Sequence, residues 1–195
     1  MANTANKVAV NPTKIITGVC RLSYANIWQA RSINGSAPKY STSILIPKSD
    51  AKTIAKVKAA IQAAYEEGEG KLKGNSKSVP SLASLKTPLR DGDTERPGDE
   101  AYAGHWFLNA NSNTAPGVVD ANREPIYDTS EIYSGVYARA SLSFFAFNSN
   151  GNRGIACGLQ NIQKVRDGES LGGKAKAEDD FDDDFKTDDN EDFLK

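Results

Sequence analysis

The last eighteen residues cannot fold on their own, and that divides the chain. Residues 178–195 read EDDFDDDFKTDDNEDFLK: ten acids, two lysines and three phenylalanines. The acids repel one another. Three Phe bury too little area to offset a chain entropy of roughly 1–2 kcal/mol per residue. The 195 residues carry 24 Lys and Arg against 25 Asp and Glu; without the tail, 22 bases and 15 acids remain, a net charge of +7 in residues 1–177. The near-neutral total therefore hides a basic body tethered to an acidic tail. The linker Gly172-Gly173-Lys174-Ala175-Lys176-Ala177 is small and flexible. One reading of the tail is solubility. Solubility needs no aromatic, however, whereas acids with interspersed Phe suit docking into a basic groove with apolar pockets. Phe181, Phe185, Asp192 and Phe193 are the partner-binding candidates.

The length suits one domain with appendages: a loose segment at 1–13, a domain at 14–171 containing a long loop at 69–100, and a linker and tail at 172–195. No stretch approaches the roughly 18 apolar residues of a membrane span, and the first residues hold no apolar signal core. No membrane association is expected, and the expected location is the cytoplasm of the cell that makes the chain. Cys20 and Cys157 lie in apolar runs and read as buried free thiols.

Hydrophobic periodicity outlines the body. Residues 15–28 alternate as a strand, and Asn34-Gly35 marks a turn. Residues 39–47 form a second strand with Tyr40, Thr42, Ile44 and Ile46 on one side. Ser49 is placed to cap a helix over 50–67, whose apolar stripe is Ile54, Val57, Ile61, Ala64 and Tyr65. Gly68 and Gly70 end it. Lys52, Lys56 and Lys58 lie off the stripe and read as a solvated face. Residues 69–100, rich in Gly, Ser, Pro and charge, read as mostly loop, and long loops are often functional. Strands follow at 104–109 and 117–121, a long strand or a bent pair at 132–148, and Asn150-Gly151 turns the chain into a last strand at 154–165. In the long strand Ala138, Ala140, Leu142, Phe144 and Ala146 form the core face. The class is mainly β with one or two helices, arranged as a small antiparallel barrel.

Catalytic signatures are missing. His105 stands alone, and neither its context nor the cysteine spacing makes a zinc site. Phosphate-loop, dinucleotide-binding and nucleophile-elbow patterns do not occur. Asp91 and Asp93 suit a turn as well as a divalent metal. The expectation is a non-enzyme without cofactor or metal.

Basic and aromatic residues interleave instead. Single-stranded nucleic acid is held by a positive groove that follows phosphates and by aromatics on which bases stack. The candidates are Arg21, Tyr24, Trp28 and Arg31 on the first strand and its turn, and Lys39 and Tyr40 on the second. Trp106 and Phe107 point to opposite faces of the third, so only one of them can be core. Tyr137, Arg139 and Phe145 lie on the far face of the long strand, and Arg153 lies in its turn. Each aromatic, taken singly, also suits a barrel core. Trp28, close to the first turn, is the preferred stacking residue.

Three segments carry a family resemblance: Thr87-Pro88-Leu89-Arg90-Asp91-Gly92-Asp93, Tyr133-Ser134-Gly135-Val136-Tyr137-Ala138-Arg139-Ala140, and residues 147–165, FNSNGNRGIACGLQNIQKV. The chain resembles the phage and prophage family once catalogued as a domain of unknown function, DUF2815, whose members include a single-stranded DNA-binding protein with an OB-type fold. The likeness runs from about residue 11 to the tail and is densest over 88–168. It implies an elaborated OB-like antiparallel barrel with a disordered acidic C-terminal tail, acting in phage replication or recombination. The tail is similar in design to those of T7-like phage and bacterial single-stranded DNA-binding proteins. That likeness implies recruitment of replication or recombination proteins and competition with DNA, although this tail ends Asp192-Phe193-Leu194-Lys195 rather than in a terminal aromatic. A helix after the second strand departs from the usual OB order. The expected partners are single-stranded DNA and such proteins, with a homo-oligomer left open. Two other classes compete: a structural or interaction protein, such as a virion component or an acidic-tailed chaperone, and a magnesium-dependent nuclease built on Asp91 and Asp93.

Overall fold

The computed structural model describes residues 10–172. Eight strands form one sheet: β1 (Lys14–Ile16), β2 (Cys20–Arg31), β3 (Lys39–Pro47), β4 (Arg90–Asp91), β5 (His105–Ser112), β6 (Gly117–Val119), β7 (Tyr137–Ser149) and β8 (Asn152–Arg166). Three helices join them: α1 (Ala51–Glu67), α2 (Glu69–Lys73) and α3 (Gly92–Glu95). That is one more helix than the upper expectation, and α2 and α3 are both short insertions in the stretch read as loop.

The sheet closes on itself. β2 pairs with β3, β3 with β5, β5 with β8, β8 with β7, and β7 returns to β2. Closure leaves these five strands without long free edges. Pairing is antiparallel except where β8 meets β5 and β6. This is the five-stranded OB-type barrel, with its main helix between the second and third barrel strands. The segment read as one strand at 15–28 breaks at Thr17–Val19, where β1 gives way to β2. Both pieces still pair with β7, and the register slips by one residue across the break.

Inside the barrel, Leu22, Ile44, Ile46, Leu108, Leu142, Leu159 and Ile162 are fully buried. Each contributes roughly 1.5–3 kcal/mol by leaving water. The expected inner row of β7, from Ala138 to Ala146 at every second residue, is buried throughout. α1 packs against β7 and β1. Its cap is Asp50 rather than Ser49: the Asp50 carboxylate accepts from Thr53 N at 3.1 Å. Ile54, Val57, Ile61 and Ala64 are buried as the stripe predicts; Thr53 and Ala60 join them, and Tyr65 is half-buried. Between α1 and α2, Gly68 lies so close to β7 that a Cβ there would stand 2.2 Å from that of Ala146. Both cysteines are free and buried, and burial pushes each thiol up to about 12.

After β8 the chain folds back over the barrel. Arg21 donates from Nε to Gly135 O (3.1 Å) and from Nη2 to Glu169 O (2.6 Å). Leu171 N donates to Ser134 O (2.8 Å), and Tyr133 Oη donates to Gly168 O (2.9 Å). Gly135, at φ +115°, has no room for a side chain: a Cβ would lie 2.0 Å from Glu169 O. This strap ties the last described residues to the barrel. No helix among the described residues is long and apolar enough to cross a membrane.

Candidate nucleic-acid interface

A cleft of about 790 Å³ opens on the outer face of β2, β3 and β5. Its floor follows from strand alternation. With Thr42, Ile44 and Ile46 turned inward, Ser41 and Ser43 of β3 face out. Ser43 stands opposite Asn109 and Ser41 opposite Asn111. The Ser43 hydroxyl donates to Asn109 Oδ1, which leaves the Asn109 amide NH2 free to donate. Asn26 of β2 completes this polar floor.

One wall is built by a bulge. Cys20 and Leu22 point into the barrel, so strict alternation would turn Tyr24 inward as well. Instead the β2–β3 register slips between Ser23↔Ser43 and Asn26↔Ser41, and Tyr24 takes the extra position at φ +47°. Such bulges redirect a side chain, and a non-Gly residue in this region stores strain of order 1–3 kcal/mol. Tyr24 emerges into the cleft with 58% of its surface exposed. Arg96 Nη2 donates to its hydroxyl (3.0 Å) and pairs with Asp99 (3.0 Å). The same guanidinium stacks on Tyr102, 4.5 Å from the ring centre. The Tyr24 hydroxyl and then Asp99 raise the Arg96 pKa above the ordinary guanidinium value.

Phe107, Tyr102 and Leu45 form a small second core on this outer face, with the two rings edge-to-face at 5.1 Å. Arg90 covers Phe107 at 5.3 Å and is ion-paired with Glu95. Arg31 and Lys39 stand exposed at the open end, beside Ile33 in the β2–β3 turn. The lining thus holds four bases, Arg31, Lys39, Arg90 and Arg96, against one acid, Glu95.

Of the twelve residues singled out in the sequence, the cleft collects Tyr24, Arg31, Lys39 and Phe107. The other eight do not line it. Arg21 braces the strap described above. Trp28 is half-buried against the core, and its indole N–H donates to Ile132 O (3.2 Å). Tyr40 is half-buried opposite Ser112. Trp106 packs on the core on the inner side, with Lys48 and Lys58 over its ring at 5.3 and 5.9 Å. Tyr137 is clamped between Arg21 (5.5 Å) and Arg166 (3.7 Å). Arg139 donates to Thr17 O (3.2 Å), Arg153 donates to Ser76 Oγ (2.8 Å), and Phe145 is 48% exposed on the β7 face. Phe181, Phe185, Asp192 and Phe193 lie outside the described residues.

Arg90, Arg96 and Tyr102 line the cleft but were missed as candidates. They fall in or just after the stretch read as loop, and only Arg90 lay in a segment flagged by resemblance. Asp91 and Asp93 share the Lys48 ammonium, each at 2.7 Å. His105 Nδ1 lies 2.7 Å from Ala103 O.

A family model described as the ssDNA-binding protein of Enterobacter phage Enc34 matches residues 13–194. The chain belongs to this family. It is 32% identical over 175 residues to putative protein p50 of Acyrthosiphon pisum secondary endosymbiont phage 1, covering 87% of this chain and 93% of that protein. Among solved structures, it is similar to the single-stranded DNA-binding protein of bacteriophage Enc34 in complex with ssDNA: TM-score 0.66, 24% identity, 82% of this chain and 90% of that one. The C-terminally truncated form of that phage protein superposes with a TM-score of 0.67, at 24% identity over 82% of this chain and 88% of that one. The gp2.5 single-stranded DNA-binding protein of bacteriophage T7 shares the fold at 14% identity and a TM-score of 0.58, with 84% and 97% coverage. The expected phage family and OB-like class therefore hold.

Proposed function

We propose that this member of the Enc34 family binds single-stranded DNA in phage replication or recombination, without catalysis, and that the cleft on β2, β3 and β5 is where the strand lies. The observation that carries this is the exposed, bulge-presented Tyr24 beside a polar floor and an excess of cationic side chains. An aromatic face accepts any base, and cations track phosphates. The Ser and Asn floor supplies hydrogen bonds to base edges or sugars. The body over 14–171 holds the strand in the cytoplasm of the infected host. The segment 172–195 recruits replication or recombination proteins and competes with DNA for the basic face. Charge supports that role, since a short flexible tether keeps ten acids near the body at an effective concentration of about the millimolar range.

The test is a gel-shift series with single-stranded, duplex and RNA oligonucleotides across salt concentrations. Each neutralised phosphate adds about −0.7 to the log–log slope for single strands, so four or five contacts predict a slope near −3. A flat salt profile, or equal affinity for duplex, contradicts the reading.

A further inference from the structure

A second basic surface lies away from the cleft, around the β7–β8 hairpin. Residues 70–90 contain five bases and no acid. The fold wraps this stretch onto the hairpin. Asn148 Nδ2 donates to Lys71 O (3.0 Å), and Arg153 Nη1 donates to Ser76 Oγ (2.8 Å). Lys86 bridges to Gly154, with Ile155 N donating to Lys86 O at 2.8 Å. Arg153 acts as a brace through this Nη1 bond, and its Nε is buried without a hydrogen-bond partner among the described residues. The outward charges are Lys71, Lys73, Lys77 and Lys86, all exposed. Among the described residues none of the four makes an ion pair; the ion pairs found lie elsewhere. Glu69 is the one acid of α2.

This surface is joined to the cleft by chain. From Lys86 the backbone runs through Thr87, Pro88 and Leu89 to Arg90, which pairs with Phe107 in the cleft wall. Four residues span at most about 14 Å. A strand leaving the cleft past Arg90 would reach Lys86, the first of these lysines, within a few nucleotides. Residues 70–90 offer ammonium groups and no aromatic side chain, so the lysine row suits phosphates rather than bases.

We infer that Lys71, Lys73, Lys77 and Lys86 form a second phosphate-binding track that holds single-stranded DNA beyond the cleft. The inference rests on the single-strand-binding reading above and extends its site. The full-length protein and the variant Lys71→Gln/Lys73→Gln/Lys77→Gln/Lys86→Gln are titrated with thymidine oligonucleotides of about four and about twelve nucleotides, within the range of OB-fold site sizes. The expected result is selective. The variant keeps its affinity for the short oligonucleotide. It loses roughly tenfold or more for the long one at low salt, and its salt slope flattens by about 2, the equivalent of three lost phosphate contacts. Unchanged binding of both lengths overturns the inference and makes the lysines a solvated face. Equal loss for both lengths overturns it in favour of a general field effect. Tighter binding of the long oligonucleotide by the variant overturns it in favour of the acidic tail as occupant. If the unaltered protein binds neither length, the single-strand-binding reading itself fails.

Discussion

Two outer faces of one barrel carry the same residue types and use them differently. On β7 and its neighbours, Arg21 and Arg166 enclose Tyr137, and the Arg21 and Arg139 guanidinium groups donate to main-chain carbonyls. On β2, β3 and β5, Arg96 stacks on Tyr102, lies 5.5 Å from the centre of the Tyr24 ring and donates to its hydroxyl, while Tyr24 stays 58% exposed. An arginine over a tyrosine is a structural clamp when its donors end on backbone. It becomes a presenting device when it holds an exposed ring over an open cleft. Residue type alone does not distinguish the two; the acceptor of the hydrogen bond does.

The largest expected effect falls on the clamp side. Gly135→Ala forces a Cβ against Glu169 O in a left-handed position, and should cost roughly 3 kcal/mol or more of stability by denaturant unfolding. A cost below 1 kcal/mol would mean that the strap is not held as described.

Next comes a contrasted pair. Tyr24→Gly should weaken single-strand binding by about 1–3 kcal/mol. Stability should hold or rise, because glycine accepts the bulge conformation without strain. Trp28→Ala should do the reverse: lower stability by about 2 kcal/mol through lost packing and a lost hydrogen bond to Ile132, with affinity unaltered. If the two variants exchange phenotypes, the assignment of faces is inverted.

The smallest effect is electrostatic and concerns the anchor of the insertion. The Lys48 ammonium holds the Asp91 and Asp93 carboxyls below the usual carboxylate range, and Gly104 N–H adds to this at Asp93. Because the folded-state values are lowered, the stabilisation is present above the ordinary carboxylate pKa and is lost as pH falls through the depressed ones. Melting curves of the parent and Lys48→Met should therefore converge as pH drops below about 4. A constant gap in Tm would show that the pairing contributes nothing.

The barrel was legible because alternation records burial. The inner row of β7 was assigned residue by residue, the side shared by Thr42, Ile44 and Ile46 of β3 was grouped correctly, and the hairpin at Asn150-Gly151 was marked by its turn chemistry. The cleft was half legible. Tyr24 shares a parity with Cys20 and Leu22, and only a bulge, invisible to periodicity, turns it outward. Arg90, Arg96 and Tyr102 were hidden because residues 69–104 hold elements too short to leave a periodic signal: a five-residue helix, a two-residue strand and a four-residue helix. Trp28 was chosen for its position near a turn; periodicity could not show that its indole N–H donates to Ile132 O, far along the chain.

The central claim is that the strand lies on β2, β3 and β5. Amide NMR spectra of the full-length protein, with and without a thymidine oligonucleotide, test it most directly. The account predicts the largest shifts at Tyr24, Asn26, Ser41, Ser43, Arg96, Asn109 and Asn111. Shifts concentrated at Arg139, Ser141, Ser143 and Phe145 on the outer face of β7, with the cleft amides unmoved, would contradict it.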